Sequence, residues 1–267
     1  MAGGRPLRFG ISQGHGGSTL VEGAMAFVEV LRQALDRAAR LVIVDDYEKL
    51  LTDTCDNDVD IAWMPPLVHL RAAERGAHLA AVPLRRGALT YRSVILASAK
   101  SPFQKLEDLA GGRFAWSDPR SAAGHIFPRM HLQRAGIRLG DEKFHGSFMV
   151  ACAAVAEGSA DACACFVNED SAASPANLLA DVARVFAPAP WRLRIIDVTD
   201  PIPPDGIVLA PGLDDQARRS VTAALLTLTD KPEGQAALQK LLYAERLVPP
   251  NEAILSALAR LRGVLQA

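Results

Sequence analysis

Apolar and polar positions alternate in two ways along the first 85 residues. The short apolar runs LRFGIS (Leu7–Ser12), LVIVDD, VDIAWMPP and LAAVPL predict buried strands. Between the strands, apolar residues recur at helical spacing; in the first helix they are Val21, Ala24, Phe27, Val28, Leu31, Ala34 and Leu35. Tyr47–Thr54 and Leu67–Arg75 predict two shorter helices. This alternation of strands and helices predicts an α/β fold with a doubly wound, mostly parallel sheet.

A longer apolar run, YRSVILAS (Tyr91–Ser98), predicts a strand that crosses into a second lobe, where the pattern starts again. WRLRIIDV predicts another long strand, and the chain then returns through the proline-rich stretch DPIPPDGIVLAP. We expect two lobes and two crossover strands, with residues 1–92 plus 203–267 in lobe 1 and residues 93–202 in lobe 2. The other predicted elements are helices at Ala123–Ala135, Phe148–Glu157, Asp214–Thr229, Pro232–Leu242 and Asn251–Leu265, a strand near Phe144 and the strand ADACACF.

Composition excludes several classes of protein. The 267 residues carry a net charge of -1, so no basic surface for nucleic acid is expected. No apolar run approaches the roughly 18–20 residues that span a bilayer, so we expect no membrane insertion. The N-terminus MAGGRPLRFG lacks the apolar region and cleavage site of a signal peptide. The location is therefore cytoplasmic if the chain as given is native, and periplasmic if a signal peptide has been removed.

The four cysteines, Cys55, Cys152, Cys163 and Cys165, are too few for a disulfide framework. Cys163 and Cys165 lie two apart on a predicted strand, so both point to one face, and a disulfide between them would be strained. They are either small buried residues of a central strand or a thiol pair for a soft metal or a trivalent metalloid.

The stretch SDPRSAAGHIFPRM (residues 117–130) predicts a strand end that leads into a helix start, which is a potential anion site. Ser121 and the backbone N–H groups that follow it are the candidate ligands. The Arg120 guanidinium either binds an oxyanion or points away on the surface. Ala122 and Ala123 add no hydroxyl groups, so the lining of this pocket is sparse.

Four segments resemble the PhnD-like, phosphonate-binding family of type II solute-binding proteins from ABC transporters. They are VDIAWMPPLVHL, TYRSVILASAKSPFQKLEDLAGGRFAWSDPRSAAGHIFP, FHGSFMVACAAVAEGSADA and DPIPPDGIVLAPGL. The resemblance covers nearly the whole chain in the family's order. It implies a two-lobed protein, without cofactor or enzymatic activity, that closes on a small oxyanion. The implied partner is an ABC permease or, for a sensor, a signalling protein; we expect a monomer.

The resemblance also implies a set of ligand-binding positions, at which this chain departs from the family. The family's Ser/Thr-rich helix start corresponds here to Arg120, Ser121, Ala122 and Ala123. His69 stands where a tyrosine is expected, whereas a tyrosine is kept at Tyr91. Phe148 and Met149 replace a His–Asp pair and predict an apolar wall. The remaining candidates are Gln13 and His15 in the first loop, His125 at the helix start, and Glu169 as a partner for a ligand amine.

Two alternatives follow from these departures. His15, His69 and His125 either line one cleft or make separate structural hydrogen bonds; their spacing matches no metal motif, so no metal is expected. The cysteine run loosely resembles the CCCFC segment of thiamin-pyrimidine synthases, which are enzymes on this fold. The leading prediction is a solute-binding protein for a phosphonate, phosphite or phosphate-like oxyanion, or for a diverged metabolite. The alternative is an enzyme that uses the histidines or cysteines, although no nucleophile–base pair stands out.

Overall fold

A computed structural model describes residues 5–13, 18–186 and 190–262 of the chain. The strands are β1 (Leu7–Ser12), β2 (Ala39–Val44), β3 (Ile61–Met64), β4 (His78–Leu84), β5 (Tyr91–Ser98), β6 (Arg113–Trp116), β7 (Asp141–Phe144), β8 (Ala162–Asn168), β9 (Leu193–Val198), β10 (Gly206–Leu209) and β11 (Arg246–Val248). The helices are α1 (Ser18–Leu35), α2 (Tyr47–Cys55), α3 (Pro66–Glu74), α4 (Phe127–Arg134), α5 (Phe148–Ala156), α6 (Pro175–Val185), α7 (Asp215–Leu226), α8 (Pro232–Leu242) and α9 (Glu252–Arg260). None of the described helices is long and apolar enough to cross a bilayer.

The chain divides into two compact units. The first contains the described residues up to 13, residues 18–89, and the described residues from 203 onward; the second contains the described residues of 90–202. At the two ends of the second unit the backbone is paired. The Tyr91 N–H donates to the Ile202 carbonyl at 3.2 Å, and the Ile202 N–H donates to the Tyr91 carbonyl at 2.7 Å. The segment that enters this unit and the segment that leaves it therefore lie side by side at Tyr91 and Ile202.

The first unit is a six-stranded sheet in the order β11-β4-β10-β3-β1-β2, packed between helices. On one face, the apolar side of α1 and the helices α7 and α8 cover Phe9, Ile11 and Ile207. On the other, α2 and α3 bury Leu50, Val68 and their neighbours. The sheet is thus covered on both faces, as in a doubly wound fold.

The second unit is a five-stranded sheet in the order β7-β6-β8-β5-β9. Strand β5 runs antiparallel to β8 along its length, from Tyr91 opposite Asn168 to Ala97 opposite Ala162. Helices α5 and α6 pack on one face of this sheet around Cys152 and Val182. Helix α4 and Leu109, which ends a 3₁₀-helical turn, cover the other face.

The prediction of mostly parallel sheets is correct for strand direction and wrong for strand pairing. Strands β1 to β4 share one direction, but β10 lies antiparallel between β3 and β4. In the second sheet β5 likewise lies antiparallel between β8 and β9. In each sheet, a strand next to a crossing between the units enters from the opposite direction, and in the first sheet β11 also lies antiparallel to β4.

Two elements differ from the sequence-based expectation. The LVIVDD run was expected to be buried, but β2 is an edge strand and Ile43 is exposed. Helix α6 was not predicted, although Leu178, Val182 and Val185 recur at helical spacing. The last helix is described over Glu252–Arg260, and its predicted end at Leu265 lies outside the described residues.

Candidate ligand site

The helix start predicted at Ser121 lies in the second unit, directly after β6. Ser121 is buried, and its Oγ accepts a hydrogen bond from the Gly124 N–H at 3.0 Å, which makes it the N-cap. One π-helical turn, Ala122–Ile126, follows and continues into α4. The turn before the cap is held by Asp118, whose carboxylate accepts from the Arg120 N–H at 2.6 Å. The Arg120 side chain is exposed.

Small residues at this helix start are required by packing. A Cβ on Gly124 would lie 1.8 Å from the Ser117 Oγ and 2.8 Å from the Phe148 ring. Ala122 and Ala123 are buried in the core of the second unit. Both alanines are predicted ligand positions, but their side chains point into the core. What they can offer a ligand is therefore backbone N–H, as for the first residues of any helix.

A second helix start lies beside the first. The His145 N–H donates to the Trp116 carbonyl at 2.8 Å, and the Gly146 N–H donates to the Ser117 carbonyl at 2.7 Å. Ser147 then caps α5, with its Oγ accepting from the Val150 N–H at 3.3 Å. Through Ser117, the two serine-capped helix starts thus adjoin at the carboxyl ends of β6 and β7.

Ser117 was missed by the sequence analysis. Its side chain is completely buried, and its Oγ lacks a hydrogen-bond partner among the described residues. A buried polar atom left unpaired costs roughly 1–3 kcal/mol and is uncommon away from functional sites. Ser147 was missed as well, although a serine directly before an apolar run is an N-cap signal. No sequence signal marks Ser117, because its isolation depends on Gly124 packing onto it.

The first turn of α5 divides its apolar side chains between core and solvent. Phe148 is buried against Gly124 and the core of the second unit. Met149 and Val150 are exposed, as is Phe144 at the end of β7. The two residues of the predicted apolar wall are therefore separated, with Phe148 buried and Met149 exposed.

His125 lies within the first helix start and is neutral. Its Nδ1 lies 2.9 Å from the Pro119 carbonyl, which can only accept, so Nδ1 carries the proton. The ring meets Trp116 and Phe144 edge-on, with centroids 5.2 and 4.9 Å apart. Burial of the ring lowers the pKa of His125 below its ordinary value, so its charged form is disfavoured.

His69 belongs to the first unit and is also neutral. Its side chain is buried on α3, and Nε2 lies 3.2 Å from the Pro204 carbonyl, to which it donates. Burial lowers the pKa of His69 to about 4. His69 and His125 thus each bond to a separate backbone carbonyl, as in the simpler of the two alternatives. His15 lies outside the described residues, and no group of metal-ligating side chains occurs among those described.

The other predicted site residues have mixed surroundings. Tyr91 is buried, with its ring 5.3 Å from that of Phe166. The Glu169 carboxylate accepts from the Arg92 Nε at 2.9 Å and from the Thr90 hydroxyl at 3.1 Å. A ligand amine at Glu169 would have to compete with the Arg92 guanidinium. Gln13 is exposed at the end of β1 in the first unit.

A third cysteine joins the predicted pair. Cys152 on α5 faces β8, and its Sγ lies 3.8 Å from that of Cys163. Cys152, Cys163 and Cys165 are all free thiols with no exposed surface. The hydrogen bond to Cys152 and complete burial raise the pKa of Cys163 well above its ordinary value. The three thiols are packed into the core of the second unit.

Comparison with protein families decides where this chain belongs. Residues 9–254 match the family described as "ABC transporter, phosphonate, periplasmic substrate-binding protein". The chain belongs to this phosphonate-binding protein family. The resemblance drawn from the four sequence segments is confirmed.

Individual relatives agree with the family. The phosphonates-binding periplasmic protein of Escherichia coli (strain K12) is 25% identical over 258 residues, which cover 90% of this chain and 71% of that protein. A binding-protein component of an ABC phosphonate transporter from Pseudomonas aeruginosa has a similar fold, with a TM-score of 0.85 and 19% identity over 98% of this chain and 87% of that one. PhnD1 from Prochlorococcus marinus (MIT 9301), solved with methylphosphonate, has a TM-score of 0.81 and 18% identity over 98% of both chains.

Membership of the phosphonate-binding protein family confirms the predicted fold class and the solute-binding function. Substrate-binding proteins of ABC transporters bind a small molecule and act with a permease. A small-molecule ligand and a permease partner therefore follow from membership of the family. The enzyme alternative, based on the cysteine run, finds no support in these relatives.

Proposed function

We propose that this chain binds a phosphonate or a closely related oxyanion at the helix start capped by Ser121. It delivers this ligand to an ABC permease, acts as a monomer and performs no chemistry on the ligand. The observation that carries the proposal is the pair of adjoining serine-capped helix starts, at Ser121 and Ser147, built around the unpaired hydroxyl of Ser117.

The electrostatics of these helix starts favour an anion. Each helix start presents unpaired N–H groups and the positive end of its dipole, equivalent to roughly half an elementary charge. Neither first turn contains an acidic side chain, and the nearby Asp118 carboxylate, in the turn before the Ser121 cap, accepts from the Arg120 N–H. Arg120, exposed directly before the cap, adds a cationic side chain next to the same turn. The ligands named for the relatives in E. coli and P. marinus are phosphonates, which fits such a site.

The other candidate residues differ in what they can offer a ligand. We retain Arg120, Ser121 and the backbone of Ala122 and Ala123 as anion contacts. Tyr91, His69, His125, Gln13, His15, Phe148 and Glu169 remain predicted ligand-site residues, of which Glu169 already has an internal partner. The assignment of residues 1–92 plus 203–267 and of residues 93–202 to two lobes also stays a prediction.

Isothermal titration with methylphosphonate, phosphite and phosphate tests this function, with Ser121→Ala as the variant. We expect the wild-type chain to bind at least one of them. Loss of a hydrogen bond to a charged group costs about 1.5–3 kcal/mol, so Ser121→Ala is expected to bind about ten- to a hundredfold more weakly.

The matched control is Asn251→Ala, which removes a neutral cap from α9 in the first unit. Both variants lose about 1 kcal/mol of folding stability because a helix cap is missing. A difference between their affinities for the anion therefore reports on a contact at Ser121 and not on the loss of stability. If Ser121→Ala and the wild type bind the anion with equal affinity, the anion site is not at Ser121. If the wild-type chain binds none of these oxyanions, the proposed function itself is wrong.

A further inference from the structure

Exposed apolar side chains concentrate at one place in the second unit. Phe144, Met149 and Val150 are 47%, 39% and 43% exposed, and they lie within seven residues of one another in sequence. Large apolar side chains exposed elsewhere among the described residues, such as Trp191 or Leu255, are scattered singly, and single exposures need no explanation. A local group of three exposed apolar side chains does need an explanation. We refer to these three residues as the apolar rim.

The apolar rim borders the proposed anion site. Met149 and Val150 occupy the first turn of α5, and the Val150 N–H is the one that donates to the cap, Ser147. The Phe144 ring contacts His125, which lies within the first turn of the other helix start. Apolar side chains therefore flank both helix starts at the positions where solvent can reach them.

This surround is unsuited to a ligand that is polar on all sides. Inorganic phosphate or phosphite is hydrated in every direction. The hydrogen bonds to water that such an ion loses beside Met149 or Phe144 would not be replaced, because these side chains offer no polar group. A ligand with one anionic group and one apolar substituent meets both parts of the surface. Small-molecule sites commonly combine apolar walls with a few placed polar groups in this way.

We propose that the ligand is an organic phosphonate with an unsubstituted hydrocarbon group, whose anionic end lies at the two helix starts and whose hydrocarbon covers the apolar rim. The inference rests on the proposed function, because the rim is assigned to the ligand that the helix starts hold. It names the substrate class of that site more narrowly than the family does.

The test is a series of methyl-, ethyl- and propylphosphonate, with phosphate and 2-aminoethylphosphonate for comparison, titrated into the wild-type chain. Each buried methylene contributes about 0.8 kcal/mol, so affinity should rise about fourfold per step and about fifteenfold from methyl to propyl. The charged 2-aminoethyl compound should bind more weakly than ethylphosphonate, because the rim offers its ammonium group no partner.

The double variant Met149→Gln/Val150→Thr removes the apolar character of the rim with little change in volume at exposed positions. We expect the ratio of affinities for propyl- and methylphosphonate to fall from about fifteen to near one. The matched control, Met25→Gln, changes a 61% exposed methionine on α1 in the first unit and should leave the ratio unchanged.

Each other outcome has a distinct meaning. Binding of methylphosphonate without any gain along the series overturns this inference and leaves the proposed function standing. Tighter binding of phosphate or of the amino compound overturns it as well. A wild-type dimer that the double variant dissociates would assign the rim to self-association instead. No binding of any compound would refute the proposed function.

Discussion

At the scale of single residues, His69 shows how burial changes the role of a polar side chain. Because His69 stands where the family has a ligand-binding tyrosine, it was a reasonable candidate for ligand contact. In the structure, it is surrounded by protein and donates to the Pro204 carbonyl. The nearby Asp205 carboxylate favours the charged imidazole, but desolvation outweighs it and the pKa falls to about 4. His69 therefore stabilises the folded chain only while it is neutral.

This predicts a stability that depends on pH through His69. In the unfolded chain the imidazole has a pKa near 6.5, so between about pH 6.5 and pH 4 the unfolded state binds the extra proton. Stability is present above pH 6.5 and falls as the pH drops through this window, by about 2 kcal/mol between pH 7 and pH 5. Urea unfolding at the two pH values measures it.

The comparison variant is His69→Gln, which keeps a side-chain donor but cannot titrate in this range. Groups common to both proteins cancel in the difference between them. The variant should lose about 2 kcal/mol less than the wild type on acidification. An equal loss in both proteins would show that His69 does not carry the effect.

At the scale of elements, the helix start after β6 is shaped by the strand from which it departs. Ser117, the residue that follows β6, occupies the space where a side chain at position 124 would lie. The Ser117 N–H also donates to the Gly124 carbonyl at 3.1 Å, so the first turn folds back onto the strand end. Glycine at position 124 therefore allows the helix to start this close to the sheet.

Gly124→Ala is expected to lower the free energy of unfolding by about 1–3 kcal/mol, because the new methyl group overlaps Ser117 and Phe148. In an ordinary helix the same change would be stabilising. Thermal and urea unfolding of Gly124→Ala, Ser117→Gly and the double variant measure the coupling. The double variant should be more stable than the sum of the two single losses predicts. Additive losses would mean that the two positions do not collide.

Element-scale features also mark the limit of what the sequence could predict. Helices α1, α2 and α8 were predicted because apolar residues recur in them at helical spacing, which is a local signal. Helix α6 was missed although Leu178, Val182 and Val185 recur at helical spacing. The pattern could not show that this helix is tied to the end of β8 by the buried Asp181 carboxylate, which accepts from the Asn168 backbone, the Asn168 amide and the Ser171 hydroxyl. Such a network joins separate segments, so no periodicity reveals it.

The candidate site, like the helices, could be predicted only where the signal lies in neighbouring residues of the sequence. Ser121 was identified from its own neighbours, as a serine in a turn before a helix. Ser117 and Ser147 acquire their place only when β6 and β7 pair in register and bring the two helix starts together. The burial of His69 likewise depends on Pro204, 135 residues away in the chain. Local patterns therefore predicted the residues of one turn, and tertiary packing supplied the rest.

At the scale of the whole molecule, the first unit is assembled from two distant parts of the chain. Arg85 and Asp205, one from each part, form a buried ion pair with two contacts at 2.7 and 2.9 Å. The Trp63 indole N–H also donates to Asp205, and the Arg85 Nε donates to the Leu242 carbonyl at 2.8 Å. This network connects the strand ends of β3 and β4 with the segment before β10 and with the end of α8.

Removing one charge from this pair should destabilise the chain strongly. Asp205→Asn leaves a buried guanidinium without its counter-charge, which typically costs about 3–5 kcal/mol. Urea unfolding followed by circular dichroism measures the loss. Asp200→Asn is the control, since that carboxylate is 84% exposed and lies 3.8 Å from Arg134, and it should change stability by less than about 1 kcal/mol. A similar, small loss in both variants would contradict the structural importance of the buried pair.

The central position of β10 sets the order in which the nascent chain can complete its structure. On the ribosome, β3 and β4 emerge early, but the strand that lies between them follows roughly 120 residues later. At about 5–20 residues per second, these apolar strand edges wait about 6–25 s for their partner. The described residues of 90–202 form their own sheet in the meantime. The second unit is therefore complete before the first. Chaperones that shield exposed strands are needed most for the strands at the beginning of the chain.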